Sequence, residues 1–384
     1  MNTEKAIPLY QSYAGRQEIE NVSRVINRKS YWALGPEIKS FEKKLANNSN
    51  TKYSLAFNSG TSAGHALMNY YGVKNSEVIV PSFTFVATSN VVLMEGGKPI
   101  FADIEEETLG LDPEDLKEKI SKRTKLIMPI HYGGNVCKIK EILDIAEDYE
   151  VKVIEDASES LGATIGGKPV GSFGDSSWFS FAPNKTISTG EGGAITTNDK
   201  DIYDASKLFR SHGRDGDSKY FESNSNPDYV TLGYNFRMPT MNAALGNAQF
   251  DSLHEIIKKR CKVAKYYDSY FKNLEEISMV SMRKGVKGVY QMYPILVEGG
   301  KTQRDKLQSY LMSKGISSRV YFEPIHKTHY YRSMGFNKCD LPITTEISEK
   351  VLCLPIYPEL SYEDQKFVIK TISNFLEEEK NVQE

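Results

Sequence analysis

Short apolar segments alternate with longer amphipathic segments along the first half of the chain. The apolar segments have the length of β-strands and lie at residues 54–57, 77–81, 99–104, 124–131, 151–156, 176–181 and 193–198. Helical spacing occurs between them, at 112–120, at 139–149 and from Thr61 onward. Alternating strands and helices are typical of a mainly parallel sheet with helices on both faces, so the pattern predicts an α/β fold.

The pattern changes after about residue 250. A long helix is expected at 249–274, and its basic run Lys258, Lys259 and Arg260 is expected to face solvent, as isolated charge runs usually do. Strands at 291–297 and 318–322 and helices at 304–314, 344–352 and 361–378 complete the pattern. We therefore expect two domains, a large α/β domain at residues 1–250 and a smaller C-terminal α+β domain at 251–384.

Composition excludes several classes of function. The 384 residues include 48 Lys and Arg against 50 Asp and Glu, so no field of one sign would recruit nucleic acid or an anionic membrane. The longest apolar runs are far shorter than the ~20 residues that span a bilayer, and the N-terminus has no apolar signal region. Four widely spaced cysteines are typical of reduced thiols, so we expect a cytoplasmic protein.

Two apparent motifs carry no function. Residues 162–168 match G-x-x-x-x-G-K, but Pro169 follows where a phosphate-binding loop requires Ser or Thr, and the segment predicts a hairpin. His326 and His329 follow Glu323, but Pro324 prevents one helix from presenting all three side chains. We expect no metal site.

Two residues suggest chemistry. Asp156 ends an apolar strand, where ligands of open α/β sheets bind, although a carboxylate there could equally cap a helix. Lys185 lies between a strand and the glycine-rich segment 189–193. Most lysines are solvated, but a buried lysine can lose its proton and attack an aldehyde to form a Schiff base.

Twelve short segments carry a wider pattern. In chain order they are 35–36 (GP), 41–42 (FE), 58–63 (NSGTSA), 81–88 (PSFTFVAT), 101–103 (FAD), 131–133 (HYG), 155–157 (EDA), 180–185 (SFAPNK), 189–193 (TGEGG), 233–238 (GYNFRM), 321–326 (YFEPIH) and 354–357 (LPIY). Together they resemble the fold-type-I enzymes that use pyridoxal 5'-phosphate (PLP), and more narrowly the DegT-type (DegT/DnrJ/StrS) aminotransferases of nucleotide-linked keto sugars. The resemblance covers nearly the whole chain.

The resemblance implies a role for each residue of the cofactor site. Lys185 would bind the cofactor aldehyde covalently and then move protons as general base and acid. Asp156 would pair with the pyridine nitrogen and keep it protonated. The remaining cofactor contacts would come from the phosphate-binding residues Gly60, Thr61 and Ser180, from Phe85 stacked on the ring, and from Asn235 of a neighbouring subunit. The last contact implies a homodimer with shared active sites.

Four further residues are assigned from the same resemblance. Glu159 replaces a glutamine that often bonds the cofactor's phenolic oxygen, so it is expected either to act as a protonated donor or to point elsewhere. Trp32, Tyr321 and His326 lie in segments that approach the sugar in relatives. Packing is the alternative for all three.

The resemblance implies two half-reactions. An amino acid, L-glutamate by expectation, gives its amino group to the cofactor, which then passes it to a nucleotide-linked keto sugar, expected to be a 4-keto-6-deoxyhexose. The alternatives are a carbocyclic or small keto acceptor, a sugar dehydratase that uses pyridoxamine phosphate (PMP), and a PLP-binding sensor without turnover. A histidine would replace Lys185 in the dehydratase, so the lysine argues against it.

Overall fold

The computed structural model describes residues 6–215 and 228–383 of the chain. The strands are β1 (Tyr53–Phe57), β2 (Glu77–Pro81), β3 (Lys98–Ala102), β4 (Thr124–Ile127), β5 (Lys152–Asp156), β6 (Thr164–Ile165), β7 (Lys168–Pro169), β8 (Ser176–Ser180), β9 (Gly193–Thr197), β10 (Ile277–Met279), β11 (Val286–Lys287), β12 (Tyr293–Val297) and β13 (Val351–Leu354). The α-helices are α1 (Arg16–Arg28), α2 (Pro36–Asn48), α3 (Gly60–Tyr71), α4 (Ala87–Met94), α5 (Pro113–Lys119), α6 (Ile139–Asp148), α7 (Lys200–Phe209), α8 (Thr240–Phe271), α9 (Gly300–Ser313), α10 (His329–Ser333), α11 (Pro342–Lys350) and α12 (Tyr362–Gln383).

A seven-stranded sheet in the order β1-β9-β8-β5-β4-β2-β3 forms the centre of the fold. The five strands from β8 to β3 run parallel, whereas β9 is antiparallel to both of its neighbours. Five of these strands form in residues 77–81, 98–102, 124–127, 152–156 and 176–180, close to the expected positions. The prediction of a mainly parallel sheet is confirmed.

Helices cover both faces of this sheet, and neighbouring strand residues belong to different cores. Val153 and Phe179 pack on one face with side chains of α2, α6 and α8. Ile154 and Trp178 pack on the other face with side chains of α3, α4 and α7. Because successive side chains of a strand point to opposite faces, a strand between two helical layers is apolar throughout, which explains the uninterrupted runs in the sequence.

A second core lies in the C-terminal part of the chain. Strands β10, β12 and β13 form an antiparallel sheet, on which α9, α12 and the second half of α8 pack. Ile7 pairs with Ile316, so the start of the described chain joins this core. The expected boundary after residue 250 falls inside α8, and the division into domains 1–250 and 251–384 stays a prediction.

Three predicted elements differ from the structure. The strand expected at 124–131 ends at Ile127, because Pro129 has no N–H to continue a ladder. The helix expected at 344–352 ends at Lys350, since the apolar residues that follow pair with β12 as β13. No strand forms at 318–322, where Arg319 makes a single bridge to Cys353 and the carbonyl of Tyr321 accepts the Tyr132 hydroxyl.

The expectation that Arg260 faces solvent is wrong. This residue is buried on α8, and its Nη1 donates to the carbonyl oxygens of Tyr290, Gln291 and Ile356 at 3.2, 3.3 and 3.2 Å. Hydrogen bonds compensate a buried guanidinium for its lost water, so Arg260 ties the long helix to two segments of the C-terminal core.

The hairpin expected around residues 162–174 is present. Strands β6 and β7 pair antiparallel across Gly166 and Gly167, whose φ angles of 58° and 82° favour glycine. No helix begins at Lys168, which is exposed beside Phe173. In the described parts of the chain, no helix is long and apolar enough to cross a bilayer.

Asp103 links the central sheet to the C-terminal part. Its buried carboxylate accepts the N–H groups of Ile104, Ile343 and Thr344 at 2.9, 2.9 and 2.7 Å, the last two at the start of α11. We expect Asp103→Ala to lower the free energy of unfolding by about 2–4 kcal/mol, because buried donors lose their acceptor. Asp112→Ala, which removes one exposed cap bond from α5, should cost about 1 kcal/mol. Urea denaturation followed by circular dichroism measures both, and equal losses would contradict the special role of Asp103.

Candidate active site

A cavity of about 420 Å³ opens at the carboxyl ends of β5 and β8, beside the N-terminus of α3. It is lined by eight of the residues expected from the sequence, which are Gly60, Thr61, Phe85, Asp156, Glu159, Ser180, Lys185 and Tyr321. Parallel strands that end at one sheet edge bring these residues together from distant parts of the chain.

Asp156 is the last residue of β5 and is buried. Its Oδ1 accepts the N–H of Ser158 at 3.1 Å, and its Oδ2 accepts the hydroxyl of Thr88 at 2.8 Å. Burial raises the pKa of the Asp156 carboxyl, although these two bonds and the charge of Lys185 act in the opposite direction. The carboxylate is held in a fixed orientation and favours a positive partner.

Lys185 lies in the loop between β8 and β9, where its N–H donates to the carbonyl of Ala182 at 3.0 Å. Its side chain is 12% exposed, and Nζ lies 3.5 Å from Oε1 of Glu159. The amine is therefore sheltered inside the cavity and reachable from it, as a nucleophile requires.

Glu159 is buried on the cavity floor, and its Oε2 accepts the N–H of Gly133 at 2.9 Å. Burial raises the pKa of the Glu159 carboxyl and Asp156 adds to the increase, whereas Lys185 and the Gly133 bond lower it. Glu159 lines the cavity, and burial makes its carboxyl easier to protonate than an exposed one.

The N-terminus of α3 forms another wall. Ser59 caps the helix by accepting the N–H of Ser62 at 3.1 Å. A Cβ on Gly60 would lie 3.0 Å from the Cβ of Ser180, and one on Gly193 would lie 2.3 Å from the backbone of Ser59. Only glycines allow this close approach of α3, β8 and β9, which leaves the helix N–H groups directed at the cavity.

Glu155 supports the site from the opposite face of β5. Its carboxylate accepts the N–H groups of Gly171, Phe173 and Gly174 at 2.9, 2.7 and 3.0 Å, and it lies 3.0 Å from Nε2 of His131. Nδ1 of His131 accepts the N–H of Cys137 at 3.3 Å, so Nε2 is the nitrogen that donates to Glu155. This network holds the strand end that carries Asp156.

Three expected site residues lie outside the cavity lining. His326 is buried, with Nδ1 2.7 Å from the Ser82 hydroxyl, and burial lowers the pKa of its imidazole to about 4. Trp32 and Asn235 are exposed on neighbouring segments, where the carbonyl of Trp32 accepts the N–H of Thr240. The structure therefore does not bring these three side chains to Lys185 within one chain.

Sequence reasoning missed other residues that line the cavity. They are Ser59, Ala87, Thr88, Ile130, Ser158, Trp178, Ala182, Asn184, Glu191, Arg319 and Phe322. The alternation on β8 could have identified Trp178, which shares a face with Ser180. Arg319 had no comparable signal, because it lies in a segment interpreted as an ordinary strand.

Comparison with known proteins decides the family. The sequence profile of the DegT/DnrJ/EryC1/StrS aminotransferase family matches residues 13–373. The chain belongs to this family. The predicted family and the predicted enzyme class, a PLP-dependent aminotransferase, are confirmed.

Relatives of the aminotransferase share nearly its whole length. GDP-perosamine synthase of Escherichia coli O157:H7 is 34% identical over 97% of this chain and 99% of its own. A UDP-4-amino-4,6-dideoxy-N-acetyl-beta-L-altrosamine transaminase of Campylobacter jejuni is 32% identical over 90% and 91%. A Streptococcus pneumoniae chain described as a sugar aminotransferase, solved in PLP and PMP forms, has a TM-score of 0.91 and 26% identity over 97% and 99% of the two chains. The fold class and the PLP cofactor are confirmed.

The residues of this aminotransferase fit pyridoxal phosphate. Trp178 lines the cavity, and its buried Nε1 has no acceptor among the described residues. Helix α3 begins at Gly60 in the cavity lining, and the N–H groups at a helix start suit an anion. Asp156 and Lys185 supply an anion and an amine. The described chain holds no cluster of His, Cys, Asp and Glu side chains arranged for a metal ion.

Asp156→Asn should separate stability from cofactor binding. Burial raises the pKa of Asp156 in the folded protein above its unfolded value of 3.8. Ionising this carboxyl therefore lowers the free energy of unfolding as the pH rises from 3.8 through the folded-state pKa, and the protein carries this loss at neutral pH. We expect the cofactor-free variant to have a higher free energy of unfolding than the wild type at pH 7, with the gain vanishing in acid. Cofactor affinity should fall about tenfold or more.

Urea denaturation at several pH values and equilibrium dialysis with PLP measure the two effects. Asp175→Asn, at a surface carboxylate that pairs with Lys152, is the control and should leave cofactor affinity unchanged. A variant less stable at pH 7, or one with unchanged affinity, would contradict the assignment.

Proposed function

We propose that this aminotransferase transfers an amino group from L-glutamate to the keto carbon of a nucleotide-linked sugar, with Lys185 as the catalytic residue. The observation that carries the proposal is the sheltered amine of Lys185 in one cavity with the buried carboxylate of Asp156. The names of the two curated relatives, one a GDP-sugar and one a UDP-sugar enzyme, support the acceptor class.

PLP, when bound, supplies an aldehyde for amines and a ring that takes up the electrons of a broken bond. Lys185 would hold that aldehyde covalently until the amino donor replaces it. The freed amine would then take the proton from the donor's α-carbon and deliver it to the carbon that had carried the aldehyde. In the second half-reaction it moves a proton in the reverse sense, toward the sugar carbon that receives the amine.

The other cavity residues bind and orient. Asp156 holds a proton on the ring nitrogen, since its carboxylate is fixed by Thr88 and Ser158 and needs a positive partner. The start of α3, with Gly60 and Thr61, and the hydroxyl of Ser180 receive the phosphate. Phe85, which is exposed at the cavity, covers one face of the ring.

In our proposal Glu159 donates a hydrogen bond to the phenolic oxygen of the cofactor. Its carboxyl lines the cavity and burial raises its pKa, so it can carry the proton for this bond. Its distance of 3.5 Å from Nζ also lets it hold Lys185 as an ammonium before the cofactor binds. The alternative, that Glu159 points elsewhere, has no support in its position.

The acceptor is proposed to be a 4-keto-6-deoxyhexose. Support comes from the C. jejuni relative, whose name describes a 4-amino-4,6-dideoxy sugar nucleotide. Tyr321 lines the cavity, which supports a contact with this sugar, whereas His326 would act on it only through its neighbours. A dehydratase is not proposed, because Lys185 is present.

We also propose a homodimer with shared active sites. Asn235 and Trp32 are exposed on adjoining segments, beside the exposed apolar side chains of Leu34, Leu232 and Tyr234. A second subunit that covers these side chains would bury apolar surface and carry Asn235 and Trp32 to its partner's cavity. The dimer thus explains why two expected site residues lie outside the cavity of their own chain.

Lys185→Ala should lower the rate of amino transfer by about 10²–10⁴-fold, because no other described amine lines the cavity. Mass spectrometry of a panel of GDP-, UDP- and dTDP-linked keto sugars with L-glutamate measures turnover. Lys168→Ala, at the exposed hairpin lysine, is the control and should retain activity. A Lys185→Ala enzyme with wild-type turnover would overturn the proposal.

Mixed dimers test the shared site. Asn235→Ala subunits should bind PLP weakly and Lys185→Ala subunits should not turn over, but mixing them should restore activity at one of the two sites. Refolded mixtures are assayed for turnover and for PLP retention. Activity no greater than the sum of the two variants alone would show that each subunit is independent.

A further inference from the structure

Arg319 is a cationic side chain at the cavity to which the proposed reaction has assigned no task. Its N–H donates to the carbonyl of Cys353 at 3.2 Å, and the N–H of Cys353 donates back at 2.8 Å, which fixes Arg319 to the buried strand β13. The side chain is exposed and lines the cavity. Its guanidinium carbon lies 5.4 Å from the centre of the Tyr321 ring, a distance typical of a cation–π contact.

Among the residues that the structure describes, the cavity lining offers this guanidinium no ion pair. The described charged residues of the lining are Asp156, Glu159, Glu191, Lys185 and Arg319. Lys185 faces Glu159, whereas no carboxylate among the described residues lies within ion-pair distance of Arg319. An amino acid that enters brings its own carboxylate into a lining with more acidic than basic side chains. It therefore needs a cation that no other carboxylate already faces.

We propose that Arg319 binds the carboxylate of the amino donor, an inference that rests on the proposed aminotransferase function. A guanidinium presents two parallel N–H groups that match a carboxylate, and the Tyr321 ring below it limits its orientation. Arg319 is then a substrate-specificity residue for amino acids.

Position favours the donor carboxylate over the diphosphate of the nucleotide sugar. Arg319 contacts the Tyr321 ring, Tyr321 lines the same cavity as Glu159 and Lys185, and Glu159 lies 3.5 Å from the reactive amine. The carboxylate of an amino acid is one bond from the carbon that must reach Lys185, whereas the diphosphate lies across the sugar ring from the keto carbon.

The test separates the two half-reactions of the PLP-loaded enzyme. Stopped-flow absorbance at increasing L-glutamate concentrations gives the saturation constant for glutamate in the first half-reaction. Mass spectrometry of the PMP-loaded enzyme with increasing nucleotide-linked keto sugar gives the saturation constant for the sugar nucleotide in the second half-reaction. In Arg319→Gln we expect the constant for glutamate to rise about 10- to 100-fold and that for the sugar nucleotide to stay unchanged. Arg319→Lys should recover part of the glutamate affinity, because lysine keeps the positive charge but lacks the two parallel N–H groups of a guanidinium.

Binding of glutarate gives a readout that needs no turnover. This dicarboxylate lacks an amine, and isothermal titration should show weaker binding to Arg319→Gln by a similar factor. Arg332→Gln is the matched control, since Arg332 is an exposed arginine on α10 outside the cavity lining. Melting curves of all variants show that each is folded.

Two results would overturn the inference. One is an unchanged glutamate constant and glutarate affinity in Arg319→Gln. The other is a weakened sugar-nucleotide half-reaction with normal glutamate handling, which would assign the cation to the diphosphate. If the wild-type enzyme shows no spectral change with glutamate, the proposed donor fails, but glutarate binding still tests Arg319 by itself.

Discussion

One sheltered amine between acidic side chains is the interaction on which this site depends. Lys185 lies 3.5 Å from Glu159, and Asp156 is buried in the same cavity. Removing carboxylates from water is costly unless positive charge or hydrogen bonds compensate them. Two carboxylates and one ammonium leave an excess of one negative charge when all are ionised. The cavity therefore favours a positive partner beside Asp156. By the same imbalance, an additional carboxylate can bind there only if a second cation compensates its charge.

Two neighbouring residues of β5 have different tasks, because one stabilises the strand and the other lines the cavity. Glu155 and Asp156 are consecutive on β5, so their side chains point to opposite faces of the sheet. Glu155 points away from the cavity and accepts hydrogen bonds from three backbone N–H groups, while Asp156 points toward the cavity. A shift of the strand by one residue would exchange the two tasks and destroy both. The apolar cores above and below the sheet make such a shift expensive, so packing far from the cavity keeps the carboxylate in place.

The local pattern of the sequence predicted part of this arrangement. Asp156 and Lys185 follow predicted strands and lie beside small residues, whereas their meeting with Gly60 in one site was implied by the resemblance to the family. Arg319 could not be found this way, because its place at the cavity depends on pairing with Cys353 in a different segment. Arg260 was misjudged for the same reason. A run of basic residues looks solvated until the carbonyls that receive one of them, from residues 290–291 and 356, are known.

The long helix α8 has a mechanical consequence. Its 32 residues extend about 48 Å at ~1.5 Å per residue, and one rod belongs to both the core beneath the large sheet and the C-terminal core. Arg260 fastens the middle of this rod to the C-terminal segments. A wide hinge between the two cores would have to bend or break the helix. Exchange of a bulky nucleotide sugar for a small amino acid is therefore expected to rely on loop and side-chain movements at the rim, with the frame itself staying rigid.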